Sequence, residues 1–397
     1  MATPSPKALA HMEAAENLFA QGQLKQAIVE CDEAIRLDPK YVYAYHNRGV
    51  VYEVLGQNQR AMMDFDEAIR LAPTYAVAYF TRGKAYVSLG QHRQALKDLN
   101  EAIRLEPDFA EAYCSRGSAH VILGQKQRAI DDYSEAIRID PEDSRAYHDR
   151  GIVYRMLAEH QRAIEDFDEA ISLVFHDPMA YYSRGTAYGD LGQNQRAIED
   201  YDTAILLAPR FANAYFGRGY AYKSLGQYQK AIGEFDEAIR LDPAHSRAYC
   251  NRGIVYRYFG IHQRAIEDFN ESLRLNPQCA GAYWYRGVVY GDLGQNQRAI
   301  EDFGECIRLD PLAVAYFNRG QVFEGMSQKQ RAIEDYDEAI RLAPTYAIAY
   351  FTRSRAHMFL GQHQQALEDL DEAIRLDPDF GRDYHNRGKI SVRASRN

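Results

Sequence analysis

An arginine followed by a glycine returns at Gly49, Gly83, Gly117, Gly151, Gly185, Gly219, Gly253 and Gly287, at a constant interval of 34 residues. Three further copies stand at Gly320, Ser354 and Gly388. An interval of this length, with two short helical patterns in each copy, points to a helical solenoid whose units bury their apolar faces against their neighbours. The 397 residues are therefore read as one continuous array rather than as two or three globular domains.

Placing the glycine in the eighth slot gives eleven tandem repeats: 8–41, 42–75, 76–109, 110–143, 144–177, 178–211, 212–245, 246–279, 280–312, 313–346 and 347–380. A short tail (1–7) precedes them, and a half repeat (381–397) reads as a capping helix. In the copy from Pro178, the spacing of Tyr181, Gly185, Tyr188 and Leu191 is helical. Gly192, in a Leu-Gly-Gln step, supplies the left-handed residue that ends this helix. A second helix follows, with an apolar stripe such as Ala163, Ile164, Phe167, Ala170 and Ile171. Proline closes most copies, as at Pro39 and Pro73, because it disfavours helix in the residue before it. Gly185 and Ala197 should let the two helices approach closely, with Tyr181 and Tyr201 as filling.

The seventh slot is arginine in ten copies, and aspartate or glutamate recurs in the twenty-third, as in Arg184 and Asp200. That pairing predicts a ladder between the two helices of a repeat or between neighbouring repeats; binding of a ligand by these arginines is the other use open to them. Irregular copies mark candidate bends. Phe175 stands where proline belongs and the proline moves to Pro178, the repeat from Ala280 is one residue short near Pro311, and Ala158 and Ser354 replace glycines.

Tyrosine in the fourth slot, glycine in the eighth, tyrosine in the eleventh, alanine in the twentieth and proline in the thirty-second recur together over residues 8–397, and this pattern resembles the tetratricopeptide repeat. The resemblance implies an all-α fold, a right-handed superhelical solenoid of antiparallel helix pairs. It also implies that the first helix of each repeat lines a concave groove through slots two, five, nine, twelve and thirteen. The seventh-slot arginine departs from the family, where an apolar residue is usual.

The fifth slot varies more than the others: His46, Phe80, Cys114, His148, Tyr182, Phe216, Cys250, Trp284, Phe317 and Phe351. A row of exposed aromatics there would suit an interaction surface. The alternative is that these side chains pack on the next helix. Small polar residues fill the sixth slot, and Asn47, Asn251 and Asn318 could bond the backbone of an extended peptide. Arg145, Arg155, Lys223, Arg247 and Arg257 make the groove slots of the middle repeats basic, opposed there only by Asp190, in a protein of net charge -9. That contrast suggests an acidic peptide or a C-terminal segment as the partner.

No block of consecutive basic residues interrupts the acidic background, which argues against nucleic acid. Without a leader-like N-terminus or a run of 18 apolar residues, membrane insertion is not expected and a cytoplasmic location is. Five cysteines, an odd number at scattered slots, suit free thiols in a reducing compartment, and no cofactor or metal is implied. The repeats occupy all of 8–380, so no segment remains for a catalytic domain. Cys114 and His148, in the fifth slots of adjacent repeats, are the nearest approach to a thiol and imidazole pair. The reading is a non-enzymatic scaffold that holds a peptide segment in its groove as a monomer. The alternative is a structural scaffold that self-associates through its terminal repeats or convex face.

Overall fold

The computed structural model describes residues 4–379, and among these the protein forms 22 helices and no strand. The first helices of ten repeats begin at Val42, Ala76, Ala110, Ser144, Pro178, Ala212, Ser246, Ala280, Ala313 and Ala347. In the first repeat the helix opens earlier, at Pro6. There Ser5 Oγ accepts the Ala8 N–H at 3.2 Å and proline takes the first helical position, a favourable N-terminus. The half repeat read as a capping helix at 381–397 lies outside the described residues.

Two compact units divide the protein, Met1–Ala208 and Pro209–Asn397, where the sequence reads as one array. Within each unit the helices of a repeat pack as a hairpin, and each second helix also packs on the first helix of the next repeat, as His160–Leu173 does on Pro178–Asp190. Among the described residues no helix is long and apolar enough to cross a membrane.

The glycine of the eighth slot marks the closest approach in each hairpin. A Cβ built on Gly151 would stand 2.7 Å from Phe167 Cε1, and one on Gly185 would stand 3.0 Å from Tyr201 Cε1. The ring against Gly185 is therefore that of Tyr201. The partly buried Tyr181 lies under the Arg184 guanidinium, whose central carbon is 5.5 Å from its ring centroid.

The arginine ladder is present and does both jobs expected of it. Arg184 Nε and Nη2 donate to the two carboxylate oxygens of Asp200 at 2.9 and 2.6 Å, joining the helices of its own repeat. Its Nη1 reaches back to Asp168 Oδ1 at 2.6 Å, on the second helix of the preceding repeat. Arg48 and Arg252 repeat the arrangement with Asp64 and Asp32, and with Asp268 and Asp236. Asn100 and Ser134 accept in place of the second aspartate for Arg116 and Arg150. Burial pushes the Asp200 carboxyl above the ordinary aspartate range, against the opposing pull of Arg184. The pair thus offsets only part of the cost of removing the carboxylate from water.

Most of the irregular positions fall in loops and turns, whereas Ser354 stands buried within the helix Ala347–Phe359, its Oγ donating to the Phe351 carbonyl at 2.8 Å. The residue lost from the repeat at Ala280 falls between Leu309 and Ala313, and the flanking helices Asn296–Leu309 and Ala313–Gly325 keep the usual 14 and 13 residues. Pro178 occupies the first position of its helix, while Phe175 is 73% exposed. Ala158 adopts a φ of 60°, the left-handed turn that glycine takes in most other copies, and Ser327 does likewise at 62°. A side chain in this region costs about 1–2 kcal/mol per residue.

Arg184→Leu should destabilise the repeats around it by about 3–5 kcal/mol, because it strands a buried carboxylate at Asp200. Asp168→Asn, at an exposed partner, should cost under about 1 kcal/mol. Native-state hydrogen exchange in the helices Pro178–Asp190 and Asn194–Leu207 checks both, since a repeat array need not unfold as one unit.

Candidate binding face of the first helices

Every described fifth-slot side chain from His46 to Phe351 is at least half-buried, which corrects the expected row of exposed aromatics. His46, Phe216 and Phe317 are buried, and Phe80, His148, Tyr182, Trp284 and Phe351 are half-buried. The cause is the residue just before the next repeat's first helix. Phe80 meets Phe109 with ring centroids 4.7 Å apart, Phe216 meets His245 at 4.8 Å, Phe317 meets Tyr346 at 5.2 Å and His46 meets Tyr75 at 5.6 Å. An aromatic 29 residues ahead was the available sequence signal. Trp284 lies edge-on to Tyr285 at 4.6 Å, and its Nε1 is buried without a hydrogen-bond partner. Burial holds the His46 imidazole below its ordinary pKa, which favours the neutral form.

His148 and Cys114 do not form a thiol and imidazole pair. His148 Nε2 is 3.0 Å from Ser183 Oγ, and its ring packs against Phe167. Burial pushes the Cys114 thiol up to about 12, far from the range of an activated nucleophile. Among the described residues, no group of three or more His, Cys, Asp or Glu side chains is placed to hold a metal ion.

The basic residues are more paired than their sequence positions imply. Arg155 Nη1 reaches Asp190 at 3.2 Å, and Arg257 Nη2 reaches Asp292 at 3.4 Å. In both cases a twelfth-slot arginine meets a thirteenth-slot aspartate of the following repeat. Asp292 lies beyond the stretch in which Asp190 alone was counted as opposing charge. Arg145 is largely exposed and bonds Asp143 at 3.2 Å.

Lys223 and Arg247, both in the second unit, are different. Lys223 Nζ donates to Asn251 Oδ1 at 2.6 Å and lies 4.4 Å from the centroid of the Tyr220 ring. Arg247 is exposed and sits over the Phe216 ring at 4.7 Å. Neither is salt-bridged to a carboxylate among the described residues. Burial lowers the pKa of the Lys223 ammonium, the mark of a cation short of compensation.

The sixth-slot asparagines do separate work. Asn47 Nδ2 donates to Glu16 Oε1 at 3.2 Å, while Asn251 Nδ2 donates to the Arg247 carbonyl at 2.9 Å. Asn318 lines an open cavity of about 290 Å³ with Asp292, Asn296 and Gln321, where Gly291 and Gly325 leave room. One further placement has no counterpart among the sequence expectations: Cys279 packs half-buried against the core cluster that contains Cys250.

Models of known families match along most of the sequence. One described as a TPR repeat matches residues 15–56 and 83–124. Others described as a tetratricopeptide repeat match 42–75, 110–143, 133–165, 182–246, 246–279, 280–311, 313–346 and 347–380. No curated protein matches. Among solved structures, the Cut9-Hcn1 hetero-tetramer of the APC/C aligns over 94% of each chain at 15% identity, with a TM-score of 0.53, a likeness of fold alone. A tetratricopeptide repeat protein from Parabacteroides merdae aligns over 62% of this chain and 98% of its own at 22% identity and a TM-score of 0.49. YrrB, described as a TPR protein with an unusual peptide-binding site, aligns over 46% of this chain and 95% of its own at 23% identity and a TM-score of 0.38.

Phe216→Ala should cost about 3–5 kcal/mol, as truncation of a buried aromatic does, whether or not any partner is present. Hydrogen exchange across Ala212–Ser224 and Ser246–Tyr258 in the isolated protein measures it.

Proposed function

Because the protein belongs to the tetratricopeptide repeat family, whose fold is typical of protein–protein interaction scaffolds, we propose that it is a non-enzymatic scaffold that takes an acidic peptide segment. The anchor is the face of the second unit that carries Lys223, Arg247 and Asn251. One observation carries this reading: the half-buried ammonium of Lys223 has a neutral amide as its polar partner and no carboxylate salt-bridged to it among the described residues. A partly desolvated cation in that state gains more from an incoming carboxylate than an exposed lysine does.

Arg247 supports the same chemistry. Its guanidinium, spread over Phe216 and open to solvent, can give two parallel hydrogen bonds to a carboxylate of the peptide or of its C-terminus. Asn251, already oriented by the Arg247 carbonyl and by Lys223, can turn its amide to the peptide backbone. Arg155 and Arg257 are left a supporting part, because Asp190 and Asp292 already occupy their guanidinium groups.

Titration of the purified protein with fluorescent peptides by anisotropy tests the proposal. A peptide rich in aspartate and glutamate with a free C-terminus should bind more tightly than its amidated and lysine-rich counterparts, and salt should weaken it. Lys223→Glu with Arg247→Glu should lower the affinity at least about tenfold, equivalent to about 1.4 kcal/mol. Equal binding of all three peptides, or an affinity unmoved by the double reversal, would refute it.

A further inference from the structure

Several side-chain amides on and beside the first helices are satisfied inside the protein: Asn47 bonds Glu16, Asn251 bonds the Arg247 carbonyl, and Asn194 bonds the Gly192 carbonyl at 3.3 Å. Between the repeats from Ala280 and Ala313 this changes. Asn318 stands in the sixth slot, Asn296 takes the position that Asn194 holds in its own copy, and Gln321 lies three residues beyond Asn318. None of these side chains is hydrogen-bonded among the described residues, and all of them line the same open cavity of about 290 Å³.

The cavity is left open by missing side chains. Gly291 and Gly325 line it, where other copies carry Arg257 or Met358 in the one slot and Tyr258 or Phe359 in the other. A Cβ on Gly325 would meet nothing within 4 Å, and one on Gly291 would meet Val322 Cγ2 at 3.9 Å. Val288, Val322 and the buried Phe303 supply the apolar lining. The Phe303 ring is fixed against Gly287, where a Cβ would stand 3.0 Å from its Cε1, so it is not free to swing in and fill the space.

The charge at the cavity limits what can enter. Asp292 is the charged residue of the lining, and its carboxylate is already paired with Arg257 Nη2 at 3.4 Å. An incoming carboxylate would face Asp292 with no cation on the walls, and an incoming ammonium would have to draw Asp292 away from Arg257. An uncharged head that both donates and accepts meets neither obstacle.

We propose that this cavity takes a glutamine side chain of a bound peptide. The methylenes of the glutamine lie against Val288 and Val322, its carbonyl accepts from the amide N–H groups of the rim, and its own N–H groups donate to their oxygens. The proposal rests on the reading of the first helices as a peptide-binding face, but not on the acidic anchor at Lys223 and Arg247.

Titration of the full-length protein with N-acetyl-glutamine amide, followed by nuclear magnetic resonance of the side-chain amide groups of Asn296, Asn318 and Gln321, tests it. Their signals should shift together and saturate, with a dissociation constant on the order of 1–10 mM for so small a ligand. The capped amides of glutamate, lysine and methionine should bind at least about fivefold more weakly. Gly291→Leu should abolish binding by filling the cavity, and Gln321→Leu should weaken it at least about threefold. Lys223→Glu with Arg247→Glu should leave the glutamine probe unmoved, which separates failure of the acidic anchor from failure of this pocket. Helical circular dichroism qualifies each variant; if either pocket variant fails to fold, the ranking of the probes on the wild type decides alone. No saturable shift, a methionine or lysine probe that binds as tightly as glutamine, or full binding by folded Gly291→Leu would overturn it.

Discussion

A single guanidinium fork holds three helices in register. Arg184 grips the Asp200 carboxylate with two parallel bonds, turns its remaining terminal nitrogen to Asp168 and covers the Tyr181 ring. Only arginine offers donors in that fixed planar set, and lysine would satisfy one partner at a time. The aspartate it grips is buried beside the closest approach of the hairpin, where Asp200 Cβ would stand 3.1 Å from a Cβ on Gly185. Arginine, glycine, tyrosine and aspartate thus recur as a set because each makes the position of the others tenable. The salt bridge is costly to desolvate, so its value lies in fixing geometry as much as in adding stability.

That regularity has a consequence for binding. The second helices and the arginine ladder give each repeat its internal geometry, while the fifth and twelfth slots of the first helices vary from copy to copy. Much of that variation is used internally: fifth-slot rings meet the residue that opens the next first helix, and twelfth-slot arginines find thirteenth-slot aspartates one repeat on. What is left with unused chemistry is small and local. It includes the Lys223 ammonium with its amide partner and the Arg247 guanidinium on Phe216.

The period, the starts of ten first helices and the pairing of Arg184 with Asp200 were legible in the sequence because they depend on residues within one repeat or at a constant offset. A turn glycine, a closing proline and an apolar stripe act over a few residues, so the same words yield the same hairpin wherever they occur. The loop that absorbs the missing residue before Ala313 was less legible, since a deletion in sequence says nothing about whether helix or connection shortens. That the arginine three residues on lies over the Tyr181 ring was likewise not read from the helical spacing alone.

By itself, then, the sequence determined a helical repeat fold, the family and the internal ladder, all of them set by local periodicity. Only the tertiary structure decided which conspicuous residues are free. Exposure at Phe80 or Phe216 depends on Phe109 and His245, each 29 residues on at the end of the same repeat, and the charge at Arg155 and Arg257 depends on aspartates 35 residues ahead on the next repeat. The tertiary structure also set Cys279 against the cluster that holds Cys250 and divided the protein into two compact units, Met1–Ala208 and Pro209–Asn397. Neutralisation of these arginines belongs to the contact between repeats, and a single repeat carries no record of what its neighbour places against it.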